Sequence, residues 1–327
     1  MRHKLFTVLF LFCFILCSCG GDNGSETQTS APSKPTVNQG TANTPGTTDT
    51  PDTQQTVAGT RGSTPVSYIG SADGSETYGN DSVTIDTSHK DEGYIMVSYT
   101  GTIPKVKFQL TGPNEVTYTY NLHGGYETFP LTAGSGNYKM GVFENIEGTT
   151  YSTLFTQSIE VSLTDELKPF LYANQYVNFK TGSATAKIGE ELAYTANTDL
   201  EVVENVYNYI ISNFTYDYDK AKTVPKGYLP VVDEILELKT GICFDYAAVM
   251  ATMLRTQNIP TRLEVGYMLE EYHAWISIYI EDHGWINGII EFDGTEWKLM
   301  DPTFAASSRK PKDFIMETDK YITKYVY

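Results

Sequence analysis

The sequence predicts two folded parts in series, an all-β sandwich and then an α+β domain, behind an unstructured lead. Three observations carry this. From about Ser67 to Leu163, apolar and polar residues alternate in short runs split by turn residues. After Leu167 the apolar spacing lengthens to that of helices, and after Pro260 it returns to alternation. The chain has 327 residues, a length that suits two domains of about 100–200 residues each. Its 40% apolar and 13% aromatic content is enough to build both cores. With 23 Lys+Arg against 40 Asp+Glu, only five of the bases Arg, the net charge is −17. That excludes nucleic-acid or anionic-membrane binding by simple charge, which needs clustered cations, and leaves at most a weak preference for basic partners.

Residues 1–18 read as a secretory signal. Arg2, His3 and Lys4 precede an apolar run from Leu5 to Leu16 that is too short for the ~20 residues of a membrane span. Leu16-Cys17-Ser18-Cys19 resembles a bacterial lipobox, which makes Cys19 the lipidated first residue of a mature lipoprotein. An ordinary signal peptide cut nearby is the alternative. On the lipobox reading the protein is exported and anchored by lipid to the outer face of a bacterial membrane, with its folded domains extracellular or periplasmic. Residues 19–65 form a stalk: from Gly20 to Thr64 there are twelve Thr and no Leu, Ile, Phe, Tyr or Trp, so no core can offset chain entropy. Such a tether reaches roughly 35–40 Å from its anchor. Cys13 and Cys17 leave with the signal and Cys19 is lipidated, so the mature chain keeps one thiol, Cys243. A lone thiol in an oxidising compartment asks for a reason, either burial as a small apolar side chain or chemistry.

Residues 66–165 carry seven expected strands: Ser82–Thr87, Gly93–Tyr99, Lys105–Thr111, Val116–Leu122, Tyr126–Thr132, Asn137–Glu144 and Tyr151–Val161. Turn chemistry separates them, as at Gly112-Pro113-Asn114 and Gly134-Ser135-Gly136. Short strands at this spacing predict an antiparallel sandwich of immunoglobulin-like type. His123 falls at a turn and reads as solvated. Residues 166–327 form the α+β part. Thr198-Asp199-Leu200-Glu201 is a capping box, with Glu201 reaching back to the Thr198 cap, and Val202, Val203, Val206, Tyr207, Ile210, Ile211 and Phe214 follow on one helical face. A shorter helix is expected from Pro230 to about Leu238, and a third, opened by Cys243, from Phe244 to about Gln257. Strands follow at Thr261–Met268, His273–Ile280, Trp285–Phe292 and Trp297–Met300.

Three residues of this half could share one chemistry. Cys243 opens a helix, where unpaired N–H groups and the helix dipole favour a thiolate. His273 begins a strand, its ring on the face of Trp275, and Asp301 ends a later strand. In a Cys–His–Asp set the imidazole takes the thiol proton and returns it to the leaving amine, while the carboxylate fixes the imidazole tautomer. Taken singly, each also reads as structural: a core Cys, an aromatic-packed His, a turn Asp.

The local words weigh toward chemistry. Thr240-Gly241-Ile242-Cys243-Phe244-Asp245-Tyr246-Ala247, His273-Ala274-Trp275 and Asp301-Pro302-Thr303 resemble the transglutaminase-like superfamily, the transglutaminase/cysteine protease core domain. Ile259-Pro260-Thr261-Arg262 resembles the segment that follows the cysteine helix there. The resemblance covers about Leu167 to Phe304. It implies a papain-like α+β core with Cys243 as nucleophile, His273 as general base and acid, and Asp301 as its orienter. For the oxyanion, the Cys243 N–H is one donor, and Tyr216 or Tyr218 could add a phenol; both also read as ordinary tyrosines of a Tyr-rich chain. Asp217 and Asp219 have the spacing of a calcium loop but lack its Gly and distal Glu, so no metal is expected, and no cofactor. His283 reads as a hairpin turn.

Three readings of function follow from the sequence. The first is a surface-anchored cysteine hydrolase that cleaves an amide bond through a thioacyl intermediate. The second is a protein-crosslinking transglutaminase, with a lysine amine as acceptor in place of water. The third is a non-catalytic adhesion or binding module that keeps the triad as scaffold. The expected partner is a peptide or protein substrate, with no nucleic acid, and with membrane contact only through Cys19.

Overall fold

The computed structural model describes residues 57–287, 290–292, 297–299 and 321–327, the two short internal stretches by their backbone. The signal, Cys19 and most of the stalk lie outside these residues, as does Asp301.

Eight strands make up the amino-terminal half. They are β1 (Thr77–Gly79), β2 (Val83–Asp86), β3 (Tyr94–Tyr99), β4 (Val106–Thr111), β5 (Thr117–Leu122), β6 (Gly125–Pro130), β7 (Gly136–Glu147) and β8 (Thr150–Val161). The last seven correspond to the seven expected; β1 is added at one edge, where it pairs with β2. They form two antiparallel sheets, ordered β1-β2-β3-β6 and β5-β4-β7-β8. Strict alternation in β4 sends Val106, Phe108 and Leu110 inward, with Phe108 fully buried. Its ring meets Phe129 of the other sheet at 4.7 Å between centroids, which ties the two sheets together.

The second half begins with helices α1 (Ala184–Ala193), α2 (Asp199–Asn213), α3 (Tyr218–Thr223), α4 (Val232–Leu238) and α5 (Cys243–Thr256). Between α2 and α3 lies β9 (Thr215–Tyr216), and before α5 lies β10 (Thr240–Gly241). Thr198 caps α2 as expected, its hydroxyl accepting from Glu201 N at 3.2 Å. The return bond differs: the Glu201 carboxylate accepts from Asn197 N at 2.8 Å, one residue earlier than a standard box. Helix α4 starts at Val232 rather than Pro230, because Val231 is extended and serves as the N-cap. Every residue of α5 from Asp245 to Thr256 is buried, so this helix is wrapped on all sides.

Against α5 packs an antiparallel sheet of β11 (Thr261–Met268), β12 (Glu271–Ile280) and β13 (Gly284–Asn287), ordered β13-β12-β11-β16, where β16 is Tyr321–Val326. The stretch expected as one strand from Trp285 to Phe292 is two: β13 pairs with β12, and β14 (Ile290–Phe292) pairs with β15 (Trp297–Leu299). Arg255 of α5 is fully buried, and its guanidinium donates to the carbonyls of Tyr172, Thr261 and Tyr327 at 2.6–3.0 Å. It thereby ties the helix to β11, to the segment before α1 and to Tyr327. The two halves share one buried cluster. Tyr327 packs on Tyr118 and Tyr120 of β5 at 5.6 and 6.1 Å and on Tyr176 at 4.1 Å.

Candidate active site

Cys243 is the first residue of α5, and it is half-buried and unpaired. Ile242, its N-cap, has no side-chain acceptor, so the helix start is capped from within. Asp245 turns back and accepts from Ile242 N at 2.8 Å. The same carboxylate, fully buried, accepts from Tyr228 Oη at 2.6 Å and from Lys220 Nζ at 2.6 Å. Lys220 also donates to Tyr228 Oη at 2.8 Å and lies 4.4 Å from the centre of its ring. A charge buried this completely is tolerable only because each oxygen is occupied. Burial and the bond to Asp245 push the Tyr228 phenol up, so it stays a neutral donor.

His273 sits on β12 opposite Gly266 of β11 and is buried, its ring 6.2 Å from Trp275 and nearly parallel to it, as the alternation of the strand predicts. Packing of α5 on β12 brings the start of the helix and this end of the strand to one cavity of about 480 Å³. Cys243, His273, Tyr216 and Tyr228 all line it.

Tyr216 reaches the cavity through a pairing that local pattern does not announce. Strand β9 lies parallel to β10, with Tyr216 opposite Gly241. Asp217 N donates to the Gly241 carbonyl at 2.9 Å, which binds the Tyr216 segment to the loop entering the Cys243 helix. Tyr218 is different. It begins α3, is largely exposed, and meets Tyr216 edge-on at 4.9 Å without lining the cavity. Asp217 caps α3, accepting from Asp219 N and Lys220 N, a structural use of that carboxylate. His123 is exposed and bonded to Glu127, and His283 lies in an exposed turn.

Asp245, Lys220 and Tyr228 were not singled out from sequence. Asp245 had a signal, an acid at the third position of a helix. Lys220 and Tyr228 had none, since they come from the α3–α4 region and meet Asp245 only in the fold.

The Cys243 and His273 segments lie within residues 186–288, which match the family described as the Transglutaminase-like superfamily. The uncharacterized protein YebA of Bacillus subtilis is 30% identical over 128 residues, 33% of this chain and 17% of that protein. The UPF0252 protein MJ1282 of Methanocaldococcus jannaschii is 29% identical over 92 residues, 24% of this chain and 26% of that protein. This chain therefore spans about a sixth and a quarter of those two relatives. A crystal structure of the periplasmic domain of TgpA from Pseudomonas aeruginosa, bound to ethylmercury, superposes with a TM-score of 0.33 at 14% identity, covering 73% of this chain and all of that one. Residues 186–288, with Cys243 at a helix start and His273 on the facing sheet, form a transglutaminase-like core domain.

Proposed function

We propose that the chain is a surface-anchored, cysteine-dependent amide hydrolase with peptidase-like chemistry. The observation that carries this reading is that Cys243, at the first turn of α5, and His273, on β12, line one cavity within the transglutaminase-like core. His273 takes the thiol proton and the sulfur attacks the substrate carbonyl carbon. The tetrahedral oxyanion is met by the Cys243 N–H and the Tyr216 phenol, both at this cavity. Collapse breaks the C–N bond, the imidazolium gives its proton to the departing amine, and a thioester remains on Cys243. Water, deprotonated by His273, then releases the acid and restores the thiol. Asp301, outside the described residues, is assigned from its motif as the carboxylate that orients His273. The lipid anchor at Cys19 and the stalk hold the folded part away from the membrane. The strand order of the two β sheets is compatible with an immunoglobulin-like sandwich in the role of spacer or wall.

The test is the pH dependence of Cys243 alkylation on folded protein, followed by mass spectrometry beside a His273→Ala variant. Rapid modification well below pH 8, slowed in the variant, is the expected result. A thiol that reacts only in denaturant would overturn the assignment and leave the binding-module reading. Product masses with and without a primary amine separate hydrolysis from crosslinking: amine incorporation identifies a transglutaminase, and its absence a hydrolase.

A further inference from the structure

We propose that the groove running from Cys243 toward the β sheets is a binding site for a carboxylate-bearing peptide, so that the substrate of the hydrolase proposed above is acidic. The chemical half of that statement rests on the proposed function; the binding half does not.

A second cavity, of about 800 Å³, adjoins the first and shares with it Tyr176, Lys226, Gly227, Tyr272 and Tyr327. The two make one groove between the catalytic core and the amino-terminal sheets. Its outer part is basic. Lys105 immediately precedes β4 and Lys107 is its second residue, His123 follows β5, and Lys226 comes from the α3–α4 loop. Lys105 and Lys226 are exposed and Lys107 is half-buried. None of the three lysines is in an ion pair among the described residues; Lys107 donates to the neutral Asn121 side chain. Among the described residues no Asp or Glu side chain lines either cavity, in a chain where acids outnumber bases 40 to 23.

Among the described residues two carboxylates bond to side chains or backbone of the wall, and both are already occupied. Asp245 is held by Ile242, Tyr228 and Lys220. Glu127 accepts from the backbone N–H of His123 at 2.7 Å and from Gln175 Nε2 at 2.5 Å, and its other contact is the His123 ring at 3.1 Å. Tyrosines supply the remaining polar edges. Burial pushes the Tyr176 and Tyr272 phenols up, so both present neutral O–H donors rather than charge.

This reverses the weak preference for basic partners that composition implies. At physiological salt, charges beyond about 8 Å are screened, so an entering ligand feels the groove and not the distant acidic surface. The lysines come from segments some 120 residues apart in sequence, β4 and the α3–α4 loop, so no basic run marks the site in the chain.

The probe is a fluorescein-labelled octapeptide of alternating Ala and Glu, compared with its Gln counterpart. Binding to the full chain carrying Cys243→Ala is followed by anisotropy at physiological salt, so that turnover plays no part. The Glu peptide is expected to bind about tenfold more tightly than the Gln peptide, the order that two or three exposed charge pairs supply. Adding Lys105→Gln and Lys226→Gln should cut that preference to about twofold or less, Lys→Arg at both should retain it, and the remote Lys180→Gln should not change it. Equal binding of the Glu and Gln peptides, or a preference that survives loss of both lysines, overturns the proposal. Either result leaves the reactivity of Cys243 standing, and an inert Cys243 thiol leaves the binding result standing.

Discussion

Asp245→Asn tests whether the start of the cysteine helix is held by a buried charge. The native carboxylate accepts three bonds, from Ile242 N at 2.8 Å and from Tyr228 Oη and Lys220 Nζ at 2.6 Å each. All three partners are donors. With its oxygen in the place of Oδ2, which accepts from Ile242 N and Lys220 Nζ, the amide loses the Tyr228 bond outright and takes the carboxylate charge from the other two. Each such charge-assisted bond is worth roughly 1.5–3 kcal/mol. The Lys220 side chain is 28% exposed and recovers part of its loss in water, which brings the expected destabilisation to about 3 kcal/mol. Against a total of roughly 5–15 kcal/mol this is a large fraction. Equilibrium urea unfolding reads it as a lower midpoint at unchanged slope. Lys220→Met in the Asp245→Asn background should cost less than in the native background, because its charge has already lost its partner. A loss below about 1 kcal/mol, or strict additivity of the two substitutions, would refute the claim that this ion pair braces the helix.

The other expectations concern the join between the halves and the sheet that bears His273. Glu92 accepts from Lys168 Nζ and Tyr172 Oη at 2.7 Å each, and these bonds, foremost the one to Lys168, hold its pKa down to about 2 from 4.5. A depressed acid contributes fully above about pH 4.5 and loses that contribution as pH falls toward 2. Stability should therefore drop by about 1–2 kcal/mol over that window after allowance for solvent screening, and Glu92→Gln should remove this share of the acid limb of the unfolding curve. An acid limb equally steep in the variant would rule out Glu92 as its source. At Gly266, opposite His273, an added Cβ would lie 2.0 Å from the carbonyl oxygen of Ile322, which is backbone of β16 and cannot simply rotate away. Gly266→Ala should cost about 1–3 kcal/mol in thermal or urea unfolding, and a neutral result would show that β16 yields freely.

Much of the fold was legible because its signals are local. Strand alternation in Val106–Thr111, the Thr198 cap of α2 and the apolar run after Cys243 are each written within one or two turns of chain, and the structure carries all three. Helix α1 was missed: its buried face is made of Thr185, Ala186, Gly189 and Ala193, small side chains that do not read as a core stripe. Its first turn is capped locally by Ser183, whose hydroxyl accepts from Ala186 N, and from outside by Asp233 of α4, which accepts from Ala184 N and Thr185 N. Strand β16 was missed for a related reason, since its partner, β11, lies more than fifty residues away.

The sequence by itself determined which side chains could do chemistry. A thiol at a helix start and a histidine on a strand can be read from residue type and period, because those patterns repeat over a few residues. Only the tertiary structure decided what surrounds them. It set Tyr216 against Gly241 and left Tyr218 outside, buried Asp245 under Lys220 and Tyr228, and gathered lysines from two halves of an acidic chain into one groove. Charge and hydrogen bonding act through space over several ångströms, whereas a sequence pattern reports only neighbours along the chain.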